Sequence, residues 1–77
     1  MGSEWAKEAV RQAEEISREL AGAGLSLAYQ RREARFALKS DAGTDYFSAH
    51  DYETRKGVDW AQLRKDVLAR AAELSGS

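Results

Sequence analysis

The chain has 77 residues, no cysteine, a single histidine and a formal net charge of −1. This length predicts one domain, 1–77, with a thin hydrophobic core. Without cysteine there is no disulfide or thiolate chemistry, and with one histidine a zinc site built from Cys and His is nearly excluded. The acidic charge balance argues against a dedicated nucleic-acid-binding domain, which is usually basic.

No apolar run approaches the roughly 20 residues that span a membrane. The acidic, amphipathic N-terminus lacks the basic and apolar regions of a signal peptide. We therefore expect a soluble protein without a membrane role, cytoplasmic if it is natural. The absence of proline, the high alanine content and the Gly- and Ser-containing ends also suit a de novo designed or engineered chain.

The first predicted element is an amphipathic helix over about residues 4–21. Apolar residues recur there at spacings of three and four, beginning at Trp5. Ser3 is the expected N-cap, because its hydroxyl can accept from a free N–H of the first turn. Gly22 and Gly24 are expected to end the helix.

The last predicted element is a helix over about residues 60–74. Asp59 and Gln62 have the spacing of a capping box, in which each side chain satisfies a free backbone N–H. The apolar stripe predicted to face the core consists of Trp60, Leu63, Val67, Ala71 and Leu74. The tryptophans in the two first turns, Trp5 and Trp60, are expected to cover the ends of the core.

Between the helices, apolar and polar residues alternate, which predicts strands near 25–30, 34–40 and 45–52. The alternation changes phase at residues 31–33, which indicates a tight turn or a bulge. A helix over residues 25–38 would carry two opposed apolar stripes, which so small a domain can hardly bury.

The segment Asp41-Ala42-Gly43-Thr44 is typical of a hairpin connection, with Asp at its start and a glycine available for positive φ. Setting Leu38 opposite Phe47 places the apolar residues of both strands on one face. The predicted fold is therefore α+β, in the order α-β-β-β-α, with two helices packed on one face of a small antiparallel sheet. An all-α small bundle is the alternative.

The strand register predicts one surface that bears functional side chains. With the apolar residues turned toward the helices, the outward residues are Arg35, Lys39, Tyr46, Ser48, His50 and Tyr52. Arg and Lys interleaved with aromatic residues on an open sheet can hold phosphates and stack bases. The candidate binding surface comprises Arg35, Lys39, Tyr46, His50 and Tyr52, and the alternative is a solvated face.

No pattern in the sequence points to catalysis. His50 and Ser48 share a strand face in this register, whereas Asp51 points to the other face and cannot orient the imidazole. The basic cluster at residues 31–35 is explained by a charged turn that keeps a sheet edge in solution. We expect no enzymatic activity, no cofactor and no metal.

The sequence thus predicts a non-enzymatic small globular module. It is either a designed or engineered scaffold without natural activity or a protein–protein interaction domain. A protein partner or a homodimer would use the sheet face or a sheet edge. The alternative is a nucleic-acid-binding domain that uses the exposed sheet face and the basic turn. The α-β-β-β-α order also occurs in double-stranded-RNA-binding domains, a likeness of topology alone.

Overall fold

A computed structural model describes the backbone of residues 4–76 and the side chains of residues 5–75. Ser3, the predicted N-cap of the first helix, lies outside this part of the chain. The elements in chain order are α1 (Glu4–Leu20), β1 (Ser26–Gln30), β2 (Arg35–Ser40), β3 (Gly43–Ser48), β4 (Glu53–Thr54), β5 (Gly57–Val58) and α2 (Trp60–Gly76). Two short 3-10 segments, Ala21–Ala23 and Ala49–Tyr52, follow α1 and β3. The predicted α-β-β-β-α order is confirmed, and the all-α alternative is wrong.

Both helices bury the stripes that their apolar spacing predicts. The fully or almost fully buried side chains are Ala9, Ala13, Ile16 and Leu20 on α1 and Leu63, Val67 and Ala71 on α2. They form one core with Leu25, Leu27, Phe36, Leu38 and Ala49. Because all these side chains meet in a single cluster, the two helices lie on the same face of the sheet.

The predicted capping box at the start of α2 is only half formed. The Gln62 backbone N–H donates to Asp59 Oδ1 at 3.2 Å, as a cap requires. The Gln62 side chain does not return to the Asp59 N–H, because that group already donates to the Tyr52 carbonyl at 2.7 Å. Gln62 Nε2 donates instead to Asp66 Oδ1 at 2.8 Å.

β1, β2 and β3 form an antiparallel sheet in that order. The phase change at residues 31–33 is a turn between β1 and β2, as one of the two interpretations predicted. The predicted pairing of Leu38 with Phe47 is wrong, because Phe47 lies opposite Phe36 and Leu38 lies opposite Asp45. The prediction assumed a four-residue connection, whereas Ser40 pairs directly with Gly43 across a two-residue turn.

The third strand is shorter than predicted, since β3 ends at Ser48 rather than at residue 52. Ala49 donates its N–H to the Ala34 carbonyl at 2.8 Å and is completely buried in the core. The chain then turns into the 3-10 segment Ala49–Tyr52, where Ser48 Oγ accepts from the His50 N–H at 3.3 Å. This cap and the burial of Ala49 end the alternation.

Two hairpin turns in the chain have the same construction. In the turn from Ser40 to Gly43, the Ser40 hydroxyl accepts from the Ala42 N–H and donates to the Gly43 carbonyl, both at 3.2 Å. Thr54 makes the corresponding bonds in the turn to Gly57, at 3.2 and 2.7 Å. Each closing glycine has positive φ, 142° and 123°, which side chains disfavour. The β4–β5 hairpin was not predicted, although its Thr-x-x-Gly repeats the Ser-x-x-Gly of the predicted one.

Four aromatic rings from four elements meet at one end of the core. The ring centroids of Trp5 and Tyr29 lie 6.0 Å apart, and those of Tyr29 and Phe36 lie 4.9 Å apart. Trp60 lies 6.3 Å from Phe36 and 6.4 Å from Trp5. The two tryptophans therefore cover the same end of the core, as part of one cluster. No helix in residues 4–76 is long and apolar enough to cross a membrane.

Backbone strain is concentrated at Ala34, the last residue of the β1–β2 turn. Its φ is 54°, the left-handed region, and it is the only non-glycine with positive φ among the described residues. We expect Ala34→Gly to raise the free energy of unfolding by roughly 0.5–1 kcal/mol, because relief of the left-handed cost exceeds the added entropy of the unfolded chain. Urea unfolding curves measure this change.

The control for this substitution is Ala28→Gly, in the exposed middle of β1. Residue 28 does not have positive φ, so a glycine there relieves no strain and should lower the free energy of unfolding by a similar amount. Equal destabilisation by both variants would show that Ala34 is not strained.

Candidate functional site

The side of the sheet away from the helices is the candidate surface. Residues that lie opposite one another in an antiparallel sheet share a face. The register therefore assigns nine residues to this outer face: Ser26, Ala28, Gln30, Arg35, Ala37, Lys39, Thr44, Tyr46 and Ser48. Three of the five candidate residues, Arg35, Lys39 and Tyr46, are among them.

Arg35 connects all three strands across the outer face. Its Nε donates to Gln30 Oε1 on β1 at 2.6 Å. Its guanidinium carbon lies 3.9 Å from the centre of the Tyr46 ring on β3, within the range of a cation–π contact. The arginine is thus held in place by a hydrogen bond on one side and an aromatic ring on the other.

The outer face is positively charged, although the chain as a whole is not. Arg35 and Lys39 are its only charged residues, and both are basic. They lie four residues apart on β2 and therefore about 13 Å apart along the strand. A ligand of this face would need acidic or acceptor groups.

The middle of the outer face is closed. Ala37 is completely buried although it belongs to the outer face and not to the hydrophobic core. Its opposite neighbours are Ala28 and Tyr46. The centre of the outer face is therefore closely packed and offers no accessible surface at Ala37.

His50 and Tyr52 are not on the outer face, contrary to the predicted surface. Both lie in the 3-10 segment after β3, because the strand ends four residues earlier than predicted. The His50 side chain is 64% exposed, and its Nδ1 lies 2.7 Å from Glu53 Oε1. Ser48 Oγ bonds to the His50 backbone rather than to its ring, so these two residues do not form a nucleophile and base. Because the prediction extended the strand through residue 52, it did not identify Glu53 as the partner of the His50 ring.

Tyr52 instead ties the 3-10 segment to α2. Its hydroxyl donates to Asp66 Oδ2 at 2.6 Å. Burial raises the pKa of Tyr52 well above its usual range, and the bond to Asp66 raises it further. The same hydrogen bond, followed by the one from Gln62, lowers the pKa of Asp66. Tyr52 is therefore a structural residue.

The two edges of the sheet differ. Leu25, just before β1, donates its N–H to the Leu20 carbonyl at 3.2 Å, and Leu27 on β1 donates its N–H to Ser17 Oγ at 3.3 Å. Helix α1 therefore covers this edge. The Leu27 N–H points away from β2, so Leu27 and the opposite residue Leu38 are a pair that is not hydrogen-bonded to each other. The backbone N–H and C=O groups of Leu38 therefore point toward β3.

The alternation continues onto β3. Asp45 and Phe47 are bonded to β2, and Ala49 follows with its bond to Ala34. The backbone N–H and C=O groups of Thr44, Tyr46 and Ser48 therefore point outward. The Ser48 carbonyl, at the N-cap of the 3-10 segment, accepts the first N–H bond of that segment. Within the part of the chain that the structure describes, the N–H and C=O groups of Thr44 and Tyr46 and the Ser48 N–H have no hydrogen-bond partner. The outer edge of β3 is open.

The cavities are shallow and offer less chemistry than the outer face. One of about 440 Å³ lies between α1 and β1 and is lined by Glu14, Ser17, Arg18, Ala21 and Leu27. Another of about 210 Å³ is lined by Trp5, Ala6, Tyr29, Arg31 and Ala34. Among the described residues, no group of three or more His, Cys, Asp or Glu side chains is placed to hold a metal ion.

Comparison of the chain with protein-family models, with curated proteins and with solved structures found no match.

The Tyr52–Asp66 hydrogen bond predicts a pH dependence of stability. Because the folded pKa of Asp66 is lowered, the stabilisation is present above the unfolded pKa of about 3.9 and is lost as pH falls through the lower folded value. Tyr52→Phe should be less stable than the parent chain at neutral pH, and the difference should shrink below about pH 4.

Guanidinium unfolding between about pH 2 and pH 7 measures this difference. Tyr46→Phe is the matched control, because the Tyr46 hydroxyl is exposed and donates no hydrogen bond among the described residues. A Tyr52→Phe difference that stays constant down to pH 2 would contradict the assignment.

Proposed function

We propose that this chain is a non-enzymatic module that acts through protein contacts, made by the outer face and the open edge of β3. The two features adjoin at Tyr46, whose ring lies on the face and whose backbone points out of the edge. An extended segment of a partner can bind such an edge through main-chain hydrogen bonds. The adjoining face then supplies side-chain selectivity.

The exposure of Tyr46 carries this proposal. Its exposed fraction is 52%, and it is the only large hydrophobic residue exposed in the described part of the chain. Tyr and Arg are enriched among the residues that contribute most to protein interfaces. Here a tyrosine is stacked with an arginine that is itself fixed by Gln30, so little side-chain freedom is lost on binding.

The other kind of non-enzymatic module that we propose is a designed or engineered scaffold without natural activity. Its support is the local consistency of the stripes, the Asp59 cap and the two Ser/Thr-x-x-Gly turns. Ala34 opposes it, because an idealised design avoids a non-glycine residue with positive φ. A pure scaffold would present no preferred binding surface.

Selection of binders from a random peptide library tests the proposed surface. We expect the selected peptides to lose most of their affinity for Tyr46→Ala and for Arg35→Ala, by roughly 10-fold or more. His50→Ala is the matched control, since His50 is exposed but lies off the outer face. Peptides that bind all three variants equally, or a library that gives no peptide, would contradict the proposal.

Nucleic-acid binding is the second candidate, favoured by the charge of the outer face. Arg35 and Lys39 have no acidic neighbour on that face, and Tyr46 offers a ring on which a base can stack. We expect any binding of single-stranded oligonucleotides to weaken steeply with salt and to disappear in Arg35→Ala with Tyr46→Ala. Fluorescence anisotropy at several salt concentrations measures it, and binding without salt dependence would reject this candidate.

A further inference from the structure

We infer that the partner of the open β3 edge is a second copy of this chain, paired antiparallel and centred on Tyr46. This inference rests on the proposed use of that edge for protein contacts. Beyond the proposed function, the inference specifies the partner, the register of the two paired strands and the symmetry of the dimer.

The outward backbone groups of β3 are complementary to themselves. With Tyr46 opposite Tyr46 of a second copy, Thr44 lies opposite Ser48, and Ser48 opposite Thr44. Thr44 and Tyr46 offer both N–H and C=O to the second copy, whereas Ser48 offers its N–H, because its carbonyl accepts within the 3-10 segment. The Tyr46 pair exchanges two bonds and each Ser48 N–H donates to a Thr44 carbonyl, so the register provides about four backbone hydrogen bonds.

Neighbouring registers fit less well. A register centred on Asp45 sets two like charges directly opposite each other, which is destabilising, and leaves Ser48 unpaired. A register centred on Phe47 leaves Thr44 unpaired, because its opposite residue would be His50 in the 3-10 segment. In the register centred on Tyr46, Asp45 lies opposite Phe47.

Asp45 does not prevent this pairing. It lies on the helix side of β3, where an unpaired carboxylate would be costly to cover. Arg70 of α2 meets it, with Nε 3.2 Å from Asp45 Oδ2. The carboxylate therefore has its partner within the same copy before any second copy arrives.

The symmetry that results has a two-fold axis perpendicular to the sheet. Both copies then keep their helices on the same side, and the two outer faces become one continuous surface across six strands. The contact is confined to one edge strand per copy, which is less than the roughly 1,200 Å² that stable complexes bury. We therefore expect a weak dimer, with a Kd on the order of 0.1–1 mM.

Ser48→Pro is the variant that tests the edge. Ser48 has φ −71° and ψ 130°, values that proline adopts without strain. Its N–H points away from β2, so proline removes no hydrogen bond of the three-stranded sheet. It does remove the donor to Thr44 of the second copy and places a ring in the contact. Ser48→Ala is the matched control, because it removes the same hydroxyl but keeps the N–H.

Sedimentation velocity from about 10 µM to about 1 mM decides between the outcomes, a range that brackets the expected Kd. We expect the parent chain and Ser48→Ala to dimerise alike, and Ser48→Pro to raise the Kd at least about 10-fold. Thermal unfolding of the dilute variants shows that each is folded. In a mixed isotope-labelled sample, an intermolecular NOE between the Hα atoms of Asp45 and Phe47 should report the register.

A parent chain that stays monomeric at about 1 mM overturns the inference, as does a dimer unaffected by Ser48→Pro or an NOE that connects other residues. Failure of the inference is separable from failure of the proposed function. A monomeric chain whose selected peptides still require Tyr46 keeps the proposed surface and loses only the second copy. Peptides indifferent to Tyr46 reject the surface itself.

Discussion

The contact of Trp5, Tyr29, Phe36 and Trp60 is the interaction on which the arrangement of this fold depends. Each ring comes from a different element, α1, β1, β2 and α2, and neighbouring centroids lie 4.9 to 6.4 Å apart. Aromatic pairs contribute about 0.5–1.5 kcal/mol beyond the area they bury. Because the two tryptophans lie in the first turns of their helices, this cluster makes both helices begin at the same end of the sheet.

The placement of α1 has a direct effect on the sheet edges. With its first turn fixed at Tyr29, α1 runs along β1 and brings Ser17 to the Leu27 N–H. Helix α2 packs on β2 and on the 3-10 segment, and its polar contacts with the sheet side run through Asp66 and Arg70. Neither helix reaches the outer edge of β3 with a backbone bond among the described residues. The same packing that closes one edge therefore leaves the other open.

The sequence was sufficient to predict the two helices and the three strands of the main sheet, because each rests on local periodicity, but it did not predict the short β4–β5 hairpin. It predicted both helices, three antiparallel strands and the common helix face. It failed where tertiary contacts override the local pattern. Residues 49–52 alternate like a strand, but the burial of Ala49 and the Ser48 cap turn them into a 3-10 segment, which removed His50 and Tyr52 from the candidate surface. The hydrogen bond from the Leu27 N–H to Ser17 is such a tertiary contact and has no signal in spacing alone. Glu53 lies three residues from His50 and meets it because the chain forms a 3-10 segment there instead of a strand.

An open edge strand usually has a feature that prevents association with another strand, such as a lysine, a proline, a bulge or an inward-pointing charge. β3 contains no lysine or proline and pairs with β2 without interruption. The one such feature of β3 is the inward-pointing carboxylate of Asp45, which forms an ion pair with Arg70 of α2. The carboxylate deters edge pairing only while it would be buried alone. The edge can thus accept another strand because β3 itself carries no lysine or proline and because Arg70 of the last helix neutralises its one inward carboxylate.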